Sequence, residues 1–165
     1  ADRAFVLNKK SMLVKYNGEG GDVVIPDGVT SIDYYAFRGC SSLTSITIPD
    51  GVTSIGSGAF DGCSSLTAIA IPDSVISIGD GAFAGCGASS VTLSNQLVTI
   101  GKNAFKSCKK LGTITISSTK LKKVGKNAFK GISSKVTIKV PKSKLKAYKK
   151  LFKDKGLNSK VKITK

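Results

Sequence analysis

The sequence predicts an α/β fold, a right-handed solenoid in which each coil of about 23 residues carries one short parallel strand and one short helix. Three observations predict it. Phe37, Phe60, Phe83, Phe105 and Phe129 follow one another at spacings of 23, 23, 22 and 24. The residue five before each Phe is Ile32, Ile55, Ile78, Ile100 or Val124, and three after come Cys40, Cys63, Cys86, Cys108 and, in the last copy, Ile132. Each unit then holds an alternating apolar pair: Ile46/Ile48, Ile69/Ile71, Val91/Leu93, Ile114/Ile116 and Ile138/Val140.

The alternating pair is a strand, because side chains on extended backbone point to opposite faces in turn. "PDG" or "PDS" then turns the chain, with Pro setting φ and Gly or Asp tolerating the corner. The spacing of Ala59, Phe60, Cys63 and Leu66 predicts a turn or two of one-sided helix. No single coil can cover its own apolar face, so the coils must stack. Six strands in phase at ~4.8 Å make a parallel sheet roughly 24 Å long. The spacings of 22 and 24 predict one residue lost around position 88 and one gained near Lys120.

The motif "LTSITIPDGVTSIGSGAFDGCSS" resembles the BspA-like, or Treponema-type, leucine-rich repeats of bacterial cell-surface proteins. Five near-copies between about residues 23 and 141 carry the resemblance, which implies a leucine-rich-repeat solenoid. The pattern departs from the widespread L-x-x-L-x-L-x-x-N form, since Pro follows the strand and no full Asn ladder is present. The chain is thus expected to be one domain, with an N-terminal cap over 1–22, repeats over 23–141 and a C-terminal cap over 142–165. "SMLVKYNGEGGDVVIP" predicts a hairpin-like N-cap around "YNGEGGD", with Met12, Val14, Val23 and Ile25 over the first coil. "PKSKLKAYKKLFKDKG" predicts a helix from Pro141 to Gly156 with Leu145, Tyr148, Leu151 and Phe152 on one face, and "KVKI" a last short strand. That basic helix is read as a cap, the alternative being an anionic membrane surface.

With 41% hydrophobic and 22% charged residues in 165, the composition is that of a folded chain. No apolar run approaches the ~20 residues of a membrane span. The opening "ADRAFVLNKK" lacks the pattern of a secretory leader. The net charge of +16 conceals a split. Residues 1–100 hold five basic and nine acidic side chains; residues 101–165 hold 21 lysines and only Asp154 against them.

The four cysteines recur once per coil and the chain has no histidine, so neither the C-x-x-C pairs of a zinc site nor a Cys-His dyad can be assembled. The cysteines read as buried thiols, with a disulfide between adjacent coils as the alternative. Asp27, Asp50 and Asp73 share one phase of the repeat and read as turn residues rather than a calcium site. "GSGAFDG" and "GDGAFAG" recur with the repeat and read as structural turns, not phosphate loops. The outward strand positions, from Ser45 and Thr47 to Thr137 and Lys139, offer neither paired carboxylates nor an aromatic platform. No metal, cofactor or enzymatic activity is therefore expected.

Two features remain for recognition. Lys106, Lys109, Lys110, Lys120, Lys122, Lys123, Lys126, Lys130 and Lys135 are expected on the turn and helix side of the last two coils, where they would attract a polyanion or another partner. The cluster lacks arginine forks and interleaved aromatics, which argues against sequence-specific nucleic-acid reading. Tyr34 and Tyr35 replace the Ser-Gly, Asp-Gly and Lys-Asn of later copies, as exposed contacts or as packing for the N-terminal cap.

The resemblance implies a monomeric, non-catalytic protein-interaction or adhesion module, extracellular or on a bacterial surface, whose partner is a host-matrix or cell-surface protein. The alternative is a structural spacer whose Lys-rich half docks on anionic cell-wall polymer.

Overall fold

The computed structural model describes residues 4–165; the first three residues of the expected N-terminal cap lie outside the described residues. The alternating pairs build the strands β5 (Leu43–Thr47), β7 (Ala68–Ala70), β9 (Ser90–Leu93), β11 (Thr113–Ile116) and β13 (Thr137–Lys139). Each coil also holds a second strand of two residues: β4 (Ser31–Ile32), β6 (Ser54–Ile55), β8 (Ser77–Ile78), β10 (Thr99–Ile100) and β12 (Lys123–Val124). N-terminal to these lie β1 (Phe5–Leu7), β2 (Met12–Tyr16) and β3 (Gly21–Val24). After β13 come a 3₁₀ turn over Lys142–Lys144, the helix α1 (Leu145–Leu151) and β14 (Lys162–Thr164).

The two strand sets form separate sheets on opposite sides of the coil. One runs β1-β2-β4-β6-β8-β10-β12, and the other is divided into β3-β5 and β7-β9-β11-β13-β14. All pairings are parallel except β1 with β2. The division falls between β5 and β7. Ile25 N–H donates to Thr47 O at 3.0 Å and Ile71 N–H to Thr92 O at 2.8 Å, but the equivalent bond from Ile48 to Ala70 is not formed. A shallow apolar cleft of about 290 Å³ lies there, floored by Ile46, Ile48 and Ile71.

Where the spacing predicts a helix in each coil, the structure has a run of turns, and the reason is legible in the hydrogen bonds. In the second coil the N–H groups of Ala59, Asp61 and Cys63 donate three residues back, to Gly56, Gly58 and Phe60. Those of Gly58, Phe60 and Gly62 donate instead to Asp80, Ala82 and Ala84 of the next coil. Gly58 and Gly62 hold φ of +63° and +77°, which swings alternate peptides outward and which an α-helix cannot contain. Apolar residues at i, i+4 and i+7 serve this staircase of turns as well as they serve a helix.

Between the sheets and the turns runs a spine of rings. Phe37, Phe60, Phe83, Phe105 and Phe129 are essentially inaccessible to water. They stack near-parallel at 4.8, 5.1, 5.6 and 5.9 Å between successive centroids. Tyr16 continues the stack at 4.8 Å from Phe37, and Phe152 closes it edge-on to Phe129 at 5.6 Å.

The caps differ in detail from expectation. The N-terminal hairpin joins β1 to β2, one turn earlier than "YNGEGGD", because Asn8 Oδ1 accepts the N–H groups of Lys10 and Met12 and Ser11 adopts φ +60°. β2 and β3 do not pair with each other; each adds to a different sheet, and "YNGEGG" is the corner between them. Leu13, Val23 and Ile25 are buried there, whereas Met12 and Val14 are only half-buried. At the other end α1 buries Tyr148, followed by Phe152, with Leu145 and Leu151 packed alongside. The helix ends at Leu151, short of Gly156. Tyr148 Oη donates to Ser118 O at 2.7 Å and accepts Leu121 N–H at 3.1 Å, which ties the cap to the last corner.

Candidate functional site

Because every coil repeats the same turns, residues at one repeat position form a column along the stack. The bonds Tyr35 N–H to Ser57 O, Gly58 to Asp80, Gly81 to Lys102 and Asn103 to Lys126 mark one column: Tyr34, Ser57, Asp80, Lys102, Lys126. The bonds Gly39 to Asp61, Gly62 to Ala84, Gly85 to Lys106 and Ser107 to Lys130 mark another: Arg38, Asp61, Ala84, Lys106, Lys130. The backbone holds both columns in place, and the side chains on them differ from coil to coil.

At the first coil the columns carry an aromatic and arginine cluster. Tyr34 and Tyr35 are 66% and 55% exposed, so neither packs under the N-terminal cap; Tyr16 fills that place. Tyr35 holds φ +57° at the position that Gly58, Gly81, Asn103 and Asn127 occupy in later coils. That conformation costs a bulky L-residue roughly 1–2 kcal/mol. Its ring lies over Gly58, where an added Cβ would come within 2.4 Å of it. The Arg38 guanidinium sits 5.0 Å from the Tyr35 ring centroid and 3.8 Å from Asp61 Oδ2. The result is an exposed Tyr35 ring held by a cation on one side and a glycine shelf beneath, with the exposed Tyr34 beside it in sequence. Sequence spacing marked the tyrosines but not Arg38, whose role depends on two coils.

The nine lysines singled out from the sequence are all exposed, but they do not share one face. Lys106, Lys126 and Lys130 lie on the turn columns. Lys109 and Lys110 occupy the corner before β11. Lys122 and Lys123 lead into and form β12, on the side of the two-residue strands rather than of the turns. Lys120 Nζ donates to Gln96 Oε1 at 2.6 Å. Lys135 stands before β13 and joins Lys160 and Lys162 around a hollow of about 460 Å³. Among the described residues the sole ion pair is Arg38–Asp61, so no lysine of this half has a carboxylate partner within 4.0 Å.

Cys63, Cys86 and Cys108 are buried and Cys40 is half-buried; all four are free. The buried thiols donate to the carbonyls of Phe37, Phe60 and Phe83 in the preceding coil. Burial, aided by the neighbouring Cys40, pushes the Cys63 thiol up to about 12. Burial likewise pushes Cys108 up to about 11 and raises Cys86. These thiols are structural donors, the reverse of activated nucleophiles. In the aspartate column, Asp73 Oδ1 accepts Asn95 N–H of the next coil at 2.9 Å, a bond between coils rather than within the turn.

A family model for the BspA type leucine-rich repeat region matches residues 30–158 in six copies. The crystal structure of a T. pallidum leucine-rich-repeat protein superposes with a TM-score of 0.74 at 30% identity, over 83% of this chain and 68% of that one. The pneumococcal vaccine antigen PcpA superposes at 0.69 and 20% identity, over 97% of this chain and 45% of its own. A leucine-rich cell surface protein from Faecalibacterium prausnitzii superposes at 0.53 and 24% identity, over 85% of this chain and 54% of its own. No curated protein matches the chain. The chain thus spans about half the length of the last two structures.

Proposed function

The chain belongs to the BspA-type leucine-rich-repeat family, and on that premise we propose that it is a non-catalytic protein-interaction module of a bacterial cell-surface or secreted protein. The cell-surface setting is carried over from the description of the F. prausnitzii relative. The observation that supports an interaction role is the cluster of Tyr34, Tyr35 and Arg38. Tyr and Arg are the residue types that dominate binding hot spots. Here all three stand exposed on a rigid frame, and Tyr35 holds a backbone conformation that the fold fills elsewhere with Gly or Asn. A surface fixed in advance loses little conformational entropy when a partner docks.

The test is saturable binding of the purified chain to immobilised collagen, laminin and fibronectin at low salt and at 1 M, where the screening length is about 3 Å. The expected result is binding to one of them that survives salt and weakens at least about 10-fold when Tyr34→Ala and Tyr35→Gly are combined. Unchanged binding by the double variant, or complete loss in salt, would sink this reading. Tyr35→Gly alone is expected to hold or raise Tm, since it relieves the left-handed strain.

The second reading, a spacer docked on anionic cell-wall polymer, is favoured by one specific observation: 21 lysines after residue 100 with no carboxylate in salt-bridge contact. Binding confined to anionic polymer and abolished by salt would select it.

A further inference from the structure

The two turn columns change character at Asp80. On its N-terminal side they hold Tyr34, Ser57, Arg38 and Asp61, and the last two pair with each other. Beyond it they hold Lys102 and Lys126 in one column and Lys106 and Lys130 in the other, all four exposed.

The first column continues past α1. Phe129 N–H donates to Lys155 O at 3.0 Å, just as Phe105 N–H donates to Ala128 O, so residues 153–156 lie in the register of the next coil. Asp154 holds φ +62°, matching +59° at Asn127 and +57° at Asn103. Lys153, immediately before it and exposed, therefore stands in line with Lys102 and Lys126. The end of the cap is a sixth rung that carries the same cation.

We propose that Lys102, Lys106, Lys126, Lys130 and Lys153 form a ladder that binds a linear phosphodiester polymer lying along the stacking axis, on the turn side of the coils rather than on the open sheet. This inference rests on the second reading above and specifies its surface and its ligand.

Charge complementarity carries it. Successive backbone positions of one column lie a coil apart, and the rings behind them are separated by 5.6–5.9 Å. The lysines of the columns repel one another, and beyond position 100 the chain offers a single acidic residue against them, Asp154 at the last rung. At the other end the ladder stops at Asp80, whose Oδ1 accepts Lys102 N–H at 2.8 Å. A phosphodiester repeat with six backbone bonds spans at most about 7 Å, twice the rise of an extended peptide residue. A flexible chain of that kind can contract to place one phosphate per coil. Lysine suits the task as a mobile point charge without the fixed fork of arginine.

The experiment compares the wild-type chain with two five-fold Lys→Gln variants of equal net charge. One changes Lys102, Lys106, Lys126, Lys130 and Lys153. The other changes Lys135, Lys139, Lys142, Lys160 and Lys162, which lie on and beside the sheet. The probe is poly(glycerol phosphate) of defined length, titrated across a salt series, with heparin and single-stranded DNA in parallel arms. The ladder variant is expected to lose about 100-fold or more in affinity, and the slope of log K against log salt to fall by about 3–4, at roughly 0.7 for each phosphate no longer neutralised. The sheet variant should keep its slope within about one. Equal losses in both variants would overturn the ladder while leaving polymer docking intact. No binding by the wild-type chain would overturn both. Tighter binding of heparin than of poly(glycerol phosphate) would overturn the choice of phosphate, and tighter binding of DNA would overturn the wall-type polymer.

Discussion

The coil around Phe60 and the coil around Phe129 bury the same ring in the same stack, yet three residues before the ring stands Ser57 in one and Lys126 in the other. One position after it stand Asp61 and Lys130. Inside, the coils are alike, because each ring packs between two others, Phe60 stacked flat on both sides and Phe129 stacked on Phe105 and closed edge-on by Phe152. Outside, the columns are held through their backbone carbonyls, which from Ser57 and Asp61 onward accept N–H groups of the preceding coil, and of the column side chains Asp80 alone accepts a backbone N–H, that of Lys102. A solenoid of this kind separates folding from recognition by side-chain direction. The N-terminal half can then carry tyrosine and the C-terminal half lysine on one frame.

The sharpest way to break that comparison is to damage the spine. Phe83→Ala, in the middle, is expected to cost about 3–5 kcal/mol by urea denaturation, because rings on both sides lose their partner. A loss under about 1 kcal/mol would mean that the stack is not what holds the coils together.

Next in size is the tie at the C-terminal end. Tyr148→Phe leaves Ser118 O and Leu121 N–H unpaired in a buried corner and is expected to cost about 1–3 kcal/mol in the same assay. An effect within error would show that water replaces the hydroxyl and that the cap is not rigidly joined to the last coils.

The thiols probe the interior of both halves at once. Their folded values lie above the unfolded value of 9.0, at about 12 for Cys63 and about 11 for Cys108, with Cys86 raised as well. Above pH 9 the unfolded chain releases protons that the folded chain keeps, so stability is fully present below pH 9 and falls as pH rises towards 11 and 12. Each thiol withdraws up to about 1.4 kcal/mol per pH unit in that window. Native labelling at pH 8 should reach Cys40 first and leave the other three until denaturant is added. Fast modification of Cys86, in the middle of the stack, would contradict a continuously packed core.

Much of the interior was legible because a buried ring, a buried thiol and an alternating pair recur at one period. The turns read as helix in the sequence because Ala59, Phe60, Cys63 and Leu66 satisfy both patterns. The distinguishing signal was Gly58 and Gly62 flanking the ring, two left-handed positions that no helix holds. Strands of two residues, such as Ser54–Ile55, are too short to alternate and so left no pattern. The position of the hairpin is hard to read in the sequence because one Asn8 side chain decides it, against a more conspicuous run of glycines. At the surface, the tyrosines and most of the lysines could be singled out by composition. Lys102 was groupable, since it stands in the same "GKNAFK" copy as Lys126 does, but Lys153 was not, because the sixth rung departs from the "AF" motif and shows itself only through Asp154 and the bond to Phe129.

The claim that recognition columns are independent of the fold is tested most directly by the thermal denaturation midpoint of the chain with all five ladder lysines changed to Gln. The account predicts a Tm equal to that of the wild type or a few degrees above it, since like charges one coil apart are removed and the core packing is untouched. A fall of more than a few degrees would contradict it, and would mean that the lysines hold the C-terminal coils together rather than present a surface.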